Sequence, residues 1–177
     1  MRRIFVGLAL PEDVRDRIAM IQTGLPGARW VKHESLHLTL AFIGETPEHL
    51  IEDAHSALSV IRAPCFDLRL SGVGQFGDAK PRAVWIGVEK CDALVTLQGR
   101  VETALRRAGL DISARKFMPH VTIGRLKTTP PDRVGRYIQR FGLFSAGPVP
   151  VREFHLFESH LLSDGGVYEA LADYELV

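Results

Sequence analysis

Apolar residues recur along this chain with two different periods, and the switches between them mark out its elements. Ile4 to Leu10 is almost wholly apolar, which predicts a buried strand. Pro11-Glu12-Asp13 reads as a helix start, with the acidic pair in the first turn where the helix dipole favours it. Val14, Ile18, Ile21 and Leu25 continue that helix on one face, and Gly24, Pro26 and Gly27 end it. Leu36, Leu38, Leu40 and Phe42 then alternate with His37, Thr39, Ala41 and Ile43, which predicts a strand. Thr46-Pro47 reads as a cap and a helix start, and Leu50, Ala54, Leu58 and Ile61 form the stripe that follows. Phe66, Leu68 and Leu70 predict a strand with one wet face, followed by a flexible glycine-rich loop over 72–77.

The second half runs in the same order. Ala83 to Val88 is a strand. Asp92 caps a helix whose stripe is Leu94, Leu97, Val101, Leu105 and Ala108, and Gly109 stops it. A strand over 119–125 follows. Thr129-Pro130 starts a helix facing inward through Val134, Tyr137, Ile138 and Phe141. Pro148 to Ser159 is strand-like, and Ser163-Asp164-Gly165-Gly166 turns Tyr168–Leu176 back on it as a hairpin. The series strand, helix, strand, helix, strand thus covers about 4–71 and again about 83–159. A long unit seen twice, with no linker between the copies, predicts one domain over 1–177. Its fold class is α+β: two pseudo-symmetric lobes, each an antiparallel sheet with helices packed outside.

Composition narrows the functional classes. A length of 177 residues, 46% hydrophobic and 24% charged, suits one soluble domain. A net charge of +1 does not suit coating of long nucleic acid or a membrane surface, but it allows a few cations to grip one RNA end. No segment is long and apolar enough to span a bilayer, and the apolar N-terminal stretch is too short for a signal peptide. Cys65 and Cys91 form neither a CxxC nor a metal-ligand spacing, so a reduced, cytoplasmic setting is expected.

The candidate chemistry lies in the two middle strands. His37-Leu38-Thr39-Leu40 and His120-Val121-Thr122-Ile123 repeat one pattern, 83 residues apart. With 7 His and 8 Thr in the chain, chance placement yields His-x-Thr about 0.3 times. On a strand, His and Thr of each copy share a face, so the two strands facing each other across a central cleft surround it with two imidazoles and two hydroxyls. One imidazole can take a proton from a nucleophile while the other gives one to a leaving oxygen. The hydroxyls of Thr39 and Thr122 can donate to non-bridging phosphate oxygens, and the planar fork of Arg125 can neutralise developing charge. Ala41 and Gly124, next on the same face, leave room for a ligand. Strict alternation puts Arg125 on the opposite face from His120, so a bulge or strand end at Gly124 is required to re-aim it. The first copy has Phe42 at the matching position, so only one lobe is expected to supply a cation.

This constellation resembles the two-histidine phosphoesterase superfamily, and within it the RNA 2′,3′-cyclic phosphodiesterase family, also called 2′-5′ RNA ligases. The resemblance covers nearly the whole chain. It includes Arg3-Ile4-Phe5-Val6, Trp30-Val31, Phe42-Ile43-Gly44, Gly72-Val73-Gly74-Gln75-Phe76-Gly77, Pro81-Arg82-Ala83-Val84-Trp85, both His-x-Thr motifs with Arg125, and Leu156-Phe157-Glu158-Ser159. It implies His37, Thr39, His120 and Thr122 as catalytic residues and Arg125 as a phosphate ligand. The implied reaction opens a terminal 2′,3′-cyclic phosphate to a 2′-phosphate, with 2′-5′ joining in some members. The implied partners are RNA 3′ ends bearing that cyclic phosphate or 2′-5′ linked RNA. No cofactor and no metal are required, and a monomer is the expected state. His37 is assigned as proton donor and His120 as proton acceptor, an assignment that near-symmetry makes easy to swap. Phe76 is a candidate for stacking on the terminal base, with packing as the alternative. Lys80, Arg82, Arg115 and Lys116 read either as RNA-backbone contacts or as solvated surface charge.

Two rival motifs compete. His33-Glu34-Ser35-Leu36-His37 spells HExxH, which on a helix would hold zinc for a metallohydrolase. The alternation after it favours a strand through His37, where positions i and i+4 lie roughly 13 Å apart and cannot share a metal. Gly72-x-Gly74-x-x-Gly77 spells a dinucleotide fingerprint, but a strand follows where a helix is needed. A non-catalytic nucleotide or RNA-end binding module is the remaining alternative. His49, His55, His155 and His160 have no partner pattern.

Overall fold

The computed structural model describes residues 1–177. In chain order the elements are β1 (Arg2–Ala9), α1 (Glu12–Ala19), β2 (Arg29–Trp30), β3 (His37–Thr46), α2 (Glu48–Ser59), β4 (Phe66–Phe76) and β5 (Ala83–Val88). Then come α3 (Asp92–Arg107), β6 (His120–Arg125), α4 (Pro131–Phe141), β7 (Ser145–Val151), β8 (Glu153–Leu162) and β9 (Gly165–Glu175). One 3₁₀ turn at His33–Ser35 precedes β3. The fold is α+β, built on two antiparallel sheets ordered β3-β1-β8-β9 and β2-β6-β5-β4-β7.

The two sheets match strand for strand: β3 with β6, β1 with β5, and β8 with β4. The halves read from the sequence, 4–71 and 83–159, nonetheless cross over. Strand β4, from the first half, pairs with β5 and β7, while β8, from the second, pairs with β1 and β9. Each half therefore completes the other's sheet. Strand periodicity does not encode which neighbour a strand pairs with, so this exchange was invisible in the sequence.

Other differences have local causes. Helix α1 is shorter than its apolar stripe. Ile21 and Leu25 reach the core from turns beyond it, and Gly24 and Gly27 carry the chain there with φ of 73° and 76°. Thr46 and Thr129 do not cap helices. Their hydroxyls donate to the carbonyls of Gly44 (2.8 Å) and Pro26 (2.7 Å), and the prolines that follow occupy the cap positions. The glycines at 72–77 are no free loop, because β4 runs through to Phe76. Gly72, at φ 77°, lies in a register shift between Leu70 and Val73, and Gly74 lies flat under the indole of Trp85 where a Cβ would collide. The strand read over Pro148–Ser159 is two strands in different sheets, broken at Arg152.

A cluster of 38 buried apolar residues, from Ile4 to Leu176, joins both sheets and all four helices. The helices supply it at helical spacing: Val14 and Ile18 from α1, Ile51, Ala54 and Leu58 from α2, Leu94, Leu97, Val101 and Leu105 from α3, and Val134 and Tyr137 from α4. No helix is long and apolar enough to cross a membrane.

Candidate active site

Strands β3 and β6 face each other across a cleft, and a cavity of about 280 Å³ lies between them. His37, Thr39, His120, Thr122 and Arg125 all line it, so the five residues predicted to meet do meet. The two histidines are held alike. Nδ1–H of His37 donates to the Ser35 carbonyl at 2.8 Å, and Nδ1–H of His120 donates to the Met118 carbonyl at 2.6 Å. Each acceptor lies two residues upstream. A neutral ring committed at Nδ1 has its lone pair on Nε2. The hydroxyl of Thr39 donates to that lone pair on His37 at 3.0 Å.

The rings are also fixed by aromatic neighbours. His37 meets Tyr168 edge-on at 4.7 Å between centroids and lies 4.8 Å from Phe5. His120 meets Phe76 edge-on at 5.0 Å, and Trp85 backs Phe76 at 5.5 Å. Phe76 therefore packs against a candidate catalytic ring. Burial holds His37 below the ordinary imidazole value, and the nearby charges of Arg125 and His120 act in the same direction against the Ser35 carbonyl.

Arg125 reaches the cavity by the expected route. Val84 pairs with Gly124 but Trp85 pairs with Thr122, so Ile123 is an extra residue in β6. That bulge moves Arg125 onto the face of His120 and Thr122. Strand β3 does the same: Val6 pairs with Ala41 and Gly7 with Thr39, leaving Leu40 extra and bringing Phe42 to the cavity. Each bulged carbonyl is held by a glutamine. Nε2 of Gln22 donates to the carbonyls of Ile123 and Val31, both at 2.9 Å, and Nε2 of Gln98 donates to that of Leu40 at 3.3 Å. These glutamines had no sequence signal, because they act through the backbone of distant strands.

Gly124 does not make room for a ligand. A Cβ there would sit 2.9 Å from the Trp30 ring and 3.1 Å from Val84, so the missing side chain lets β2 close on β6. The expectation that one lobe alone supplies a cation also changes. Arg3, on β1, lines the cavity beside Phe42. Ser159, Leu161 and Tyr168 enter from the β8–β9 hairpin. That hairpin is tied down by Lys32 to Asp164 at 3.0 Å and by the Ser35 hydroxyl donating to the Gly166 carbonyl at 3.0 Å.

The HExxH segment does not form a helix face. His33 lies in the 3₁₀ turn with Nε2 2.7 Å from Asp16, whereas His37 begins β3 and turns to Thr39. The remaining histidines lie away from the cavity or outside its lining. His155 is buried with Nδ1 2.7 Å from the Asp173 carboxylate, His55 bonds the Tyr174 hydroxyl at 2.9 Å, and His160 lies 3.2 Å from Glu169. Beyond Thr39, Phe42 and His120 the cavity continues into a groove of about 690 Å³ that includes Phe76, Arg82, Arg115 and Lys116. Lys80 does not line it.

The family model for the 2′-5′ RNA ligase superfamily matches residues 10–161. An Archaeoglobus fulgidus protein named RNA 2′,3′-cyclic phosphodiesterase is 32% identical over 177 residues, 98% of this chain and 99% of the relative. A Thermotoga maritima protein of the same name is 34% identical over 176 residues, 96% and 92% of the two chains. Among solved structures, E. coli LigT complexed with 3′-AMP superposes with a TM-score of 0.81 at 27% identity, covering 99% of this chain and 98% of that one.

Proposed function

This chain belongs to the 2′-5′ RNA ligase superfamily, and from that premise we propose that it hydrolyses a terminal RNA 2′,3′-cyclic phosphate to a 2′-phosphate by metal-independent catalysis between His37 and His120. The observation that carries the reading is the matched pair of imidazoles. Each spends Nδ1–H on a backbone carbonyl, so Nε2 is the nitrogen of each ring left to exchange a proton, on His37 once the Thr39 hydroxyl turns from it to the phosphate.

The steps balance without a cofactor. A water oxygen attacks phosphorus in line with the P–O3′ bond, and Nε2 of His120 takes the water proton. The 3′ oxygen leaves with a proton from Nε2 of protonated His37, and the phosphate stays on the 2′ oxygen. Thr39, Thr122 and Arg125 bind the non-bridging oxygens, whose charge grows in the transition state. Access supports this direction of transfer. His120 also borders the wider groove, whereas His37 does not and sits against Phe5 and Tyr168. Burial lowers the basicity of His37, so once protonated it gives up its proton more readily than a free imidazolium, and the anionic substrate supplies the charge that lets it load that proton. A 5′-hydroxyl in place of water turns the same steps into 2′-5′ joining.

Both histidines come from one chain, so a monomer suffices. Cys65 and Cys91 are free thiols, which fits action in the reducing cytoplasm. The test is an oligonucleotide ending in a 2′,3′-cyclic phosphate, assayed with EDTA, with the product isomer identified. A 2′-phosphate product, and a loss of about 10²–10⁴-fold in His37→Ala and in His120→Ala, are expected. Full activity in His120→Ala refutes the mechanism.

A further inference from the structure

Adjacent arginines on β1 have opposite fates. Arg2 is spent on two carboxylates, Glu158 at 2.8 Å and Glu48 at 3.1 Å. Arg3 turns to the other face, lines the catalytic cavity and has no carboxylate within 4.0 Å. Its guanidinium lies over the Phe42 ring, 5.1 Å from the centroid. A cation–π contact of this kind holds the guanidinium against the ring while leaving its N–H donors unspent. Phe42 occupies in β3 the place that Arg125 occupies in β6, so Arg3 restores a cation to the lobe that lacks one at that position.

Two unpaired guanidiniums in one small cavity exceed what a cyclic phosphodiester requires. That group carries a single negative charge, and Arg125 together with a protonated histidine already opposes it. A second anionic group within the same ligand accounts for the surplus. In RNA the nearest one is the 5′-phosphate of the terminal nucleotide, which joins it to the rest of the strand. Resting on the cyclic-phosphate reading above, we propose that Arg3 binds this neighbouring phosphate, so that the substrate class is a 5′-phosphorylated or strand-linked terminal nucleotide and not a free nucleoside cyclic phosphate. Ser159, on β8 beside β1, also lines the cavity and offers a hydroxyl donor.

The experiment compares binding of adenosine 2′-monophosphate and adenosine 2′,5′-bisphosphate by calorimetry in the wild type, Arg3→Met and Arg3→Lys. Thermal unfolding of each variant checks its fold. The wild type is expected to prefer the bisphosphate by about 10- to 100-fold, the worth of one charge-assisted contact. Arg3→Met, which keeps an apolar side chain over Phe42, is expected to bring that ratio close to one, and Arg3→Lys to restore part of it. No preference in the wild type, or a preference unchanged in Arg3→Met, overturns the proposal. An equal loss for both ligands in Arg3→Met also overturns it, since Arg3 then serves the first phosphate. A parallel turnover assay on 5′-hydroxyl and 5′-phosphoryl adenosine 2′,3′-cyclic phosphate separates the two readings. The binding preference without any turnover strikes the reaction and supports the second-phosphate site.

Discussion

Replacing Gln22 by Leu tests whether the bulge in β6 is what aims Arg125. The amide of Gln22 donates to two carbonyls at 2.9 Å, those of Val31 and Ile123. The Ile123 carbonyl also accepts from Val31 N–H at 3.0 Å, so it keeps one partner when the amide is removed. The cost is therefore nearer one unsatisfied carbonyl than two, about 1–3 kcal/mol. For a chain of this size that lowers the unfolding midpoint by roughly 2–4 °C per kcal/mol. The catalytic consequence is separable from the stability loss. Arg125→Met should lower kcat/KM on a cyclic-phosphate oligonucleotide by about 10²–10³-fold, as removal of a charge-stabilising donor does elsewhere. Gln22→Leu should cost a smaller factor, and the double variant should be no worse than Arg125→Met alone, because Gln22 acts through Arg125. The assay is steady-state kinetics well below the unfolding temperature, with the three variants measured side by side. If the two losses multiply in the double variant, Gln22 does not act by aiming Arg125 and the bulge argument fails.

Other outcomes follow from the same contacts. Because the native pKa of His37 is lowered, the unfolded chain binds a proton that the native one does not as pH falls below about 6.5. Wild-type stability should therefore fall between pH 7 and 5 more steeply than that of His37→Gln in urea titrations, and equal slopes would contradict the burial argument. If His37 is the acid, an aryl phosphodiester with a good leaving group should rescue His37→Ala far more than His120→Ala, and the opposite pattern swaps the two roles. Gly124→Ala places a Cβ 2.9 Å from the Trp30 ring; it should destabilise the fold by about 1–3 kcal/mol in denaturant unfolding and lower activity through Arg125. Phe76→Leu should reduce kcat more than substrate affinity if its edge-on contact with His120 is what matters, whereas a pure loss of affinity would favour the base-stacking role.

The chain determines much of itself locally. Period-two and helical stripes located every helix and most strands, and the repeated His-x-Thr, with Arg125 beyond the second copy, marked five residues that line one cavity. Even the need to re-aim Arg125 near Gly124 was legible, as a bulge or a strand end; the structure supplies the bulge, with Ile123 as the extra residue. These features survive because they rest on short-range geometry: side-chain alternation, helical spacing and the chirality of the strand. Tertiary structure decided what depends on partners distant in sequence. It exchanged β4 and β8 between the sheets, continued β4 through glycines that read as a loop, and filled the space above Gly124 with Trp30. It also brought Gln22 and Gln98 to the bulged carbonyls and turned Arg3 to the cavity beside Phe42. A lone glutamine or arginine has no periodic signature. Its meaning is set by which backbone carbonyl or ring comes to lie against it, and only sheet pairing and register determine that.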